Sequence, residues 1–296
     1  MTGAEGLSLA VSRFDTPAAL QSGPALLFAH GFGQTRHAWQ RSAQQLARLG
    51  YPGLTYDARG HGGSGCNPAG LAYAGEQFTD DLIVLAGEQP QPPVLVGASM
   101  GGLFGLLAEA RWPGLFRAMV LVDITPRWEA AGLERILAFI TAFPQGFDSL
   151  EHASEVIAAY LPQRRTRKSA EELREILRQN AEGRWNWHWD PRLVDDLVRD
   201  CARHQDDIAE AAHTIRCPLL LISGGRSDLG SARTVEEFRT LAPHAQHAHL
   251  PDATHMLAGD DNDSFTSTVR DYLAGLPAVV PVSTHPATAP ATGAHP

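Results

Sequence analysis

The chain has 296 residues, which is enough for one large α/β domain with an insertion or for two smaller domains. Its 44% hydrophobic and 19% charged residues are ordinary for a soluble globular protein, and no uncharged run is long enough for a membrane span. The net charge of −9 disfavours nucleic-acid and anionic-membrane partners, which leaves a small-molecule substrate as the expected partner and the oligomeric state open. A cytoplasmic location is expected because the N-terminus has no basic segment followed by an apolar stretch.

Short apolar runs alternate with helical patterns from Pro24 onward, and this alternation predicts an α/β fold with a mostly parallel central sheet flanked by helices. Several of the runs are almost continuously apolar, as is typical of strands buried on both faces. The predicted strands cover residues 25–29, 54–56, 94–96, 119–122, 219–222 and 247–250. The predicted helices cover residues 39–49, 76–88, 103–111 and 263–273.

A long, mainly helical segment separates the strands at 119–122 and 219–222. We therefore predict a core made of residues 1–126 and 217–276, with an inserted helical cap of residues 127–216. Residues 277–296 are rich in Pro, Ala and Thr and lack any helical or strand period, so they are predicted to form a disordered tail.

Neither a disulfide framework nor a metal site is expected from the three cysteines, Cys66, Cys201 and Cys217. They are far apart and odd in number, and no pair has metal-binding or redox spacing. We expect them to be packing residues. The basic run at residues 164–168 stands next to acidic residues and is predicted to be a solvated helix start.

The strongest local signal is the segment Gly97-Ala98-Ser99-Met100-Gly101, which follows a predicted buried strand and precedes a predicted helix. A sharp turn in this context lifts a serine hydroxyl above the end of the strand, and the flanking glycines remove side chains that would collide there. The adjacent helix N-terminus favours developing negative charge. We therefore predict that Ser99 is a nucleophile. For the bare pattern, an incidental serine in a small-residue turn is the alternative interpretation.

Two further segments lie near the ends of predicted strands: residues 30–33 (HGFG) and residues 57–64 (DARGHGGS). Together with the serine turn, they make the chain resemble the α/β-hydrolase fold superfamily, of the serine hydrolase or esterase type with a helical cap. The resemblance covers about residues 24–276. It implies an oxyanion hole built from the backbone N–H groups of Phe32 and Met100. It also implies that Asp57 and Arg59 support the loops around the nucleophile rather than react.

The general base is predicted to be His255, because these enzymes place nucleophile, acid and histidine in that chain order. Although the chain contains 13 histidines, only His255 lies in a loop between the last predicted strand and the last predicted helix.

Two aspartates compete for the role of the acid that orients the base. Asp228 follows the strand at 219–222, near the usual position, but the spacing depends on which neighbouring glycine is counted. Asp123 ends the earlier strand at 119–122, and this resembles an esterase branch in which the acid has moved there and a serine occupies the usual site. We favour Asp123, with Ser227 as a supporting hydrogen-bonding residue and Asp228 as the alternative. Either carboxylate would fix the tautomer of the imidazole and stabilise the imidazolium.

The predicted cap is rich in aromatic residues that would roof an apolar pocket. Most of these rings are expected to be core, with one or two of the tryptophans at 185–189 facing a ligand. The cap aromatics are Trp128, Phe139, Phe143, Phe147, Trp185, Trp187 and Trp189. The predicted substrate-binding residues are Phe32, Met100, Trp128 and Trp187.

The sequence thus predicts a carboxylesterase-like serine hydrolase that cleaves a small to medium, largely apolar ester or thioester through an acyl-enzyme intermediate, without a cofactor or a metal. Lactone opening, hydrolysis of a carbon–carbon bond and cofactor-free perhydrolysis use the same triad and stay open. A ligand-sensing receptor of the same fold is the non-enzymatic alternative. The serine at position 99 argues against haloalkane dehalogenases and epoxide hydrolases, which use an aspartate nucleophile.

Overall fold

A computed structural model of the chain describes residues 1–17, 20, 23–160, 167–227, 229–254 and 262–277. Seven of its strands form one sheet and two form a small separate sheet. The strands are β1 (Val11–Phe14), β2 (Leu26–Ala29), β3 (Gly53–Tyr56), β4 (Val94–Ala98), β5 (Ala118–Val122), β6 (Leu177–Gln179), β7 (Trp185–Trp187), β8 (Leu219–Arg226) and β9 (Gln246–Thr254). The main sheet has the order β1-β3-β2-β4-β5-β8-β9, and only β1 runs antiparallel to its neighbour.

Helices cover both faces of this sheet. They are α1 (Gln40–Arg48), α2 (Gly75–Gly87), α3 (Met100–Arg111), α4 (Ala130–Thr141), α5 (Leu150–Tyr160), α6 (Ala170–Ile176), α7 (Arg192–Arg203), α8 (Gln205–Thr214), α9 (Ala232–Leu241) and α10 (Asn262–Ala274). On one face α1 packs against α10, and on the other α3 packs against α2 and α8. This arrangement confirms the predicted fold class.

The central strands are apolar throughout because each contributes to two cores. In β4, Leu95 belongs to the cluster beneath α2 and α3, whereas Val94 and Val96 belong to the cluster beneath α1 and α10. All five residues of β4 and all five of β5 are buried. A strand buried on both faces has no polar alternation, which is why these strands could be predicted from the sequence.

Two boundaries near the site differ from the sequence-based prediction, and one strand was not predicted. Helix α3 begins at Met100, not at residue 103, so Ser99 directly precedes the helix. Strand β8 continues to Arg226, four residues beyond the apolar run that predicted it. The edge strand β1 was not predicted, because its sequence VSRF carries only two apolar residues and an edge strand needs no continuous apolar run.

We call residues 127–216 the helical insertion; its described parts, 127–160 and 167–216, contain α4 to α8 and the antiparallel pair β6–β7. Part of it has a core of its own, which includes Phe147, Ile157 and Leu173. Helices α7 and α8 instead pack against α2 and α3, so this part of the insertion shares the core of the sheet. The domain boundaries stay a prediction. The predicted tail lies outside the described residues from position 278 onward.

Two minor predictions need correction. Cys66 is exposed and is not a packing residue, whereas Cys201 and Cys217 are half-buried against the sheet core. Of the basic run, residues 164–166 lie outside the described residues. Its end, Lys168, is half-buried and lines a cavity, and α6 begins only at Ala170, so Lys168 is not a solvated helix start. In the described part of the chain, no helix combines the length and apolarity needed to cross a bilayer.

Candidate active site

The site residues predicted from the sequence gather at the carboxyl ends of parallel strands, where α/β folds bind their ligands. Ser99 follows β4 and Asp123 follows β5. The turn 31–34 lies just beyond β2, and Ser227 follows β8. Because these strands are neighbours in the sheet, residues from distant parts of the chain meet at one edge.

Ser99, the predicted nucleophile, has a strained backbone with φ 46° and ψ −119°. Its N–H donates to Val122 O at 3.2 Å, and its carbonyl accepts from Leu103 N at 3.0 Å. The turn is tight on both sides of the serine. A Cβ at Gly97 would lie 2.8 Å from Gly102 Cα, and one at Gly101 would lie 2.5 Å from Ala29 O. Strain of this kind persists only where the surrounding structure imposes it, and it concentrates at functional sites.

The turn 31–34 lies against Ser99. It is closed by a hydrogen bond from Gln34 N to Gly31 O (3.1 Å), and the Gln34 side chain accepts from Gly31 N at 2.9 Å. Gly33 has φ +74°, and a Cβ at Gly31 would lie only 3.2 Å from Ser99 Cβ. Met100 opens α3, where backbone N–H groups have no acceptor inside the helix. The oxyanion role of Phe32 and Met100 stays a prediction.

Asp123 is the second non-glycine residue at a strand end with positive φ, at 51°. Its carboxylate is buried and receives two hydrogen bonds from the extended end of β8 and the loop that follows. Gly224 N donates to Oδ1 at 2.9 Å, and the Ser227 hydroxyl donates to Oδ2 at 2.5 Å. Ser227 Oγ in turn accepts from the backbone N–H groups of Leu229 and Gly230. The structure therefore brings Asp123 and Ser227 together.

The other two members of the predicted catalytic set, His255 and Asp228, lie outside the described residues. Strand β9 ends at Thr254, immediately before His255, and Thr254 lines the same cavity as Ser99. The assignment of base and acid stays a prediction.

Asp57 and Arg59, predicted to be supporting residues, are both buried and held by hydrogen bonds and ion pairs. Asp57 accepts from the backbone of Arg36 at 2.6 Å and of Gly63 at 2.8 Å, and it pairs with the Arg36 guanidinium. Arg59 makes a two-pronged ion pair with Asp81, with N···O distances of 2.8 and 2.9 Å. Neither Asp57 nor Arg59 lines the cavity in the described part of the chain, which agrees with a structural role.

A cavity of about 500 Å³ lies over Ser99 between the turn 31–34, the start of α3 and the helical insertion. All four residues that we predict to bind substrate line it, namely Phe32, Met100, Trp128 and Trp187. Phe139 and Trp189 also line the cavity, whereas Phe143, Phe147 and Trp185 belong to the core of the insertion. Trp187 and Trp189 stack with ring centroids 4.9 Å apart. Strand alternation puts residues 185, 187 and 189 on one side of the segment. Of these three rings, Trp187 and Trp189 line the cavity, whereas Trp185 packs against the core of the insertion.

Among the described residues that line this cavity, charge is sparse and of one sign. The charged side chains among its described lining residues are Arg135, Lys168 and Arg226, and no described carboxylate lines it. Arg226 pairs with Asp252 at 2.8 Å. Among the described residues, no group of three or more His, Cys, Asp or Glu side chains could hold a metal ion.

Three histidines lie beside the turn 31–34, and no role was predicted for them from the sequence. His30, His61 and His188 lie with neighbouring ring centroids 5.1 Å (His30–His61) and 5.8 Å (His61–His188) apart. Burial lowers the pKa of each, and it lowers that of His188 to about 4. The sequence signal for His188 is its place between Trp187 and Trp189, since alternation turns it away from the side that these two rings share.

A mostly parallel sheet covered by helices, with polar groups gathered at the carboxyl ends of its strands, places the chain in the α/β class. The chain belongs to the Alpha/beta hydrolase family, which matches residues 26–267. It is 31% identical to an sn-1-specific diacylglycerol lipase of Mus musculus over 90% of this chain and 86% of the relative. It is 28% identical to an esterase of Mycobacterium tuberculosis, covering 85% and 83% of the two chains.

Comparison with solved structures supports the same fold. The crystal structure of an E-2-(acetamidomethylene)succinate hydrolase superposes with a TM-score of 0.76 at 22% identity, covering 91% of this chain and 96% of that one. The relatives are hydrolases, and this chain is accordingly a hydrolase of the α/β fold.

Proposed function

We propose that this hydrolase is a serine carboxylesterase acting on uncharged or anionic esters and thioesters with a largely apolar acyl group. The observation that carries the proposal is the strained Ser99, which opens into an apolar cavity of about 500 Å³ beside the turn 31–34. A strained serine between a strand and a helix is the geometry in which a hydroxyl is presented to a substrate carbonyl.

In the proposed reaction, Ser99 Oγ attacks the ester carbonyl carbon while its proton passes to His255. The N–H groups of Phe32 and Met100 donate to the oxyanion of the tetrahedral intermediate. The intermediate collapses as His255 returns the proton to the leaving alcohol or thiol, and an acyl-Ser99 ester remains. Water then attacks this ester with His255 as the base, which releases the acid.

We propose Asp123 as the acid that orients His255. In support, Asp123 is buried and its two oxygens are held by Gly224 N and Ser227 Oγ, so the carboxylate has one fixed orientation. An oriented carboxylate keeps the imidazole in one tautomer and stabilises its protonated form. Asp228 is the alternative acid.

We propose that the helical insertion acts as a cap that sets the acyl preference. Trp128, Phe139 and Trp187 give the cavity an apolar wall that buries hydrocarbon. The described lining carries cations and no carboxylate, which disfavours cationic substrates such as choline esters. The murine relative is named for an uncharged lipid ester, and this supports a neutral substrate with acyl chains.

The decisive experiment is the Ser99→Ala variant, tested on a panel of p-nitrophenyl esters, thioesters and lactones of increasing chain length. We expect kcat to fall by at least about 10⁴-fold, because removing a triad nucleophile abolishes covalent catalysis. Ser267→Ala is the matched control, since Ser267 is half-buried on α10 and its hydroxyl donates to Ser264 O within the same helix. Wild-type rates in folded Ser99→Ala would overturn the proposal. Tight ligand binding without turnover in the wild type would instead favour a receptor.

A further inference from the structure

His188 bridges two core loops from the helical insertion. Its Nε2–H donates to Gly33 O at 3.2 Å, and its Nδ1 accepts from Gly62 N at 2.8 Å. This pair of bonds requires a neutral imidazole with its proton on Nε2. Gly33 and Gly62 are 155 and 126 residues from His188 along the chain, so the contact is a tertiary link between insertion and core.

Gly33 also contacts a second histidine, His61. Gly33 N lies 3.4 Å from His61 Nε2, and His61 Nδ1 lies 3.0 Å from Arg59 O. Both polar backbone groups of Gly33 are thus directed at buried imidazoles. Gly33, the residue after Phe32, is therefore held through both its N–H group and its C=O group.

Packing around His188 presses the insertion onto the same turn. The Trp189 ring lies 5.3 Å from the Phe32 ring, and a Cβ at Gly33 would meet Trp189 at 3.0 Å. Asp190 N donates to Gly60 O at 2.8 Å. Residues 188–190 therefore contact the turn 31–34 and the neighbouring 57–64 loop without an intervening gap.

We propose that His188 is a positioning residue that holds the turn 31–34 so that Phe32 N–H is aimed at the oxyanion formed on Ser99. This inference rests on the proposed function, since it assigns His188 a part in the same esterase site. His188 does not line the cavity in the described part of the chain, so its effect reaches the reaction through Gly33 and Phe32. A donor displaced by a fraction of an ångström from the oxyanion loses much of its stabilising effect.

Three substitutions separate the two bonds of His188. His188→Phe keeps the ring volume and removes both bonds. His188→Gln can reach Gly33 O with its amide N–H, in place of Nε2. His188→Asn offers an oxygen near the position of Nδ1 and does not reach Gly33. We expect kcat on the best p-nitrophenyl ester to fall about 10- to 100-fold in the His188→Phe and His188→Asn variants. This decrease is smaller than the one expected when an oxyanion donor is removed completely. Gln should recover most of this loss, and KM should stay within about 3-fold in all three variants.

A trifluoromethyl ketone analogue of the ester adds a readout that tracks the oxyanion. Its inhibition constant should rise in His188→Phe by about the same factor as kcat falls, because both depend on the oxyanion donors. The matched control is His152→Phe, which changes a histidine of the insertion that packs on Phe143 and Phe147, away from the turn 31–34. This control should leave kcat and ketone binding unchanged.

The outcomes distinguish the inference from the function on which it rests. Wild-type kcat in folded His188→Phe, or a rise in KM alone, would overturn the positioning role while Ser99→Ala still abolishes activity. Equal losses in the Gln and Phe variants would also overturn it, because a role limited to packing needs no donor to Gly33. Full activity of Ser99→Ala, or no ester turnover by the wild type, would overturn the esterase proposal and the role of His188 with it.

Discussion

The sheet core and the helical insertion meet at one cavity but are built in opposite ways. Strands β4 and β5 are buried along their whole length, and each ends in a non-glycine residue with positive φ, Ser99 and Asp123. Helix α4 of the insertion buries only Gly132, and most of its side chains are half-buried or exposed. The difference teaches that tight packing is concentrated where reacting atoms would be held, while α4 supplies an apolar wall that can change without disturbing them.

The largest effect should come from the core, at Asp123. We expect Asp123→Asn to lower kcat by about 10³- to 10⁴-fold, because an amide cannot fix the required imidazole tautomer or stabilise the imidazolium. Steady-state kinetics on a p-nitrophenyl ester measures this. The fold should persist, because Asn can still accept a hydrogen bond from Gly224 N.

Ser227→Ala and Asp228→Asn are the paired controls for this prediction. Ser227→Ala removes one bond to the carboxylate and should cost about 10- to 100-fold, consistent with about 1.5–3 kcal/mol for one hydrogen bond to a charged group. If Asp228→Asn abolishes turnover while Asp123→Asn leaves it near wild type, our assignment of the acid is wrong.

A second core prediction concerns stability. Gly101→Ala should lower the free energy of unfolding by about 2–3 kcal/mol, because the new methyl group would lie 2.5 Å from Ala29 O inside a packed core. Gly87→Ala is the matched change at the end of α2, where nothing lies within 4 Å, and it should stabilise by about 0.5–1 kcal/mol. Urea unfolding of both variants decides the matter, and equal effects would contradict the contrast in packing.

The insertion should show an effect on specificity instead. Trp187→Leu should lower kcat/KM for an octanoate ester relative to an acetate ester by about 5- to 20-fold, since about 1–2 kcal/mol of apolar contact with the longer chain is lost. Trp185→Leu is the control, because Trp185 packs inside the insertion and does not line the cavity. A chain-length-independent loss in Trp187→Leu, or the same selectivity change in Trp185→Leu, would argue that these rings only stabilise the insertion.

The same contrast explains how much could be predicted from the sequence. The central strands and the turn at Ser99 were predictable because continuous apolar runs and closely packed glycines leave few alternatives locally. The pairing of Asp123 with Ser227 was expected only through family resemblance. Its geometry depends on β8 running on to Arg226, and no apolar pattern marks that extension.

The contacts of the insertion were harder to predict. Its aromatic residues indicated an apolar roof, but which rings face the cavity depends on the register of β6 and β7, two strands of three residues each. The bridge from His188 to Gly33 joins segments 155 residues apart, and a single histidine among thirteen carries no local signal of such a partner. Gln34, whose side chain closes the turn on Gly31, was also missed, although its partner is only three residues away.

The smallest predicted effect lies at the boundary between the two regions and concerns pH. Burial is the main cause that lowers the pKa of His188 from 6.5 to about 4, and nearby His30 and Arg178 lower it further, against the opposing effects of the bond to Gly33 O and of Asp57. The unfolded chain therefore takes up a proton at His188 below about pH 6.5, whereas the folded chain does so only near pH 4. The contribution of His188 to the free energy of unfolding therefore falls as the pH decreases through this window.

Comparing the wild type with His188→Phe removes this contribution, together with the smaller effect by which His188 lowers the pKa of His61. Between pH 7 and pH 5 the variant should lose about 1–2 kcal/mol less unfolding free energy than the wild type, as measured by urea titration at each pH. Parallel curves for wild type and His188→Phe would mean that His188 stays as accessible to protons in the folded chain as in the unfolded one. The insertion would then not pack tightly enough on the turn 31–34 to exclude water from His188, and residue 188 would not belong to the tightly packed core.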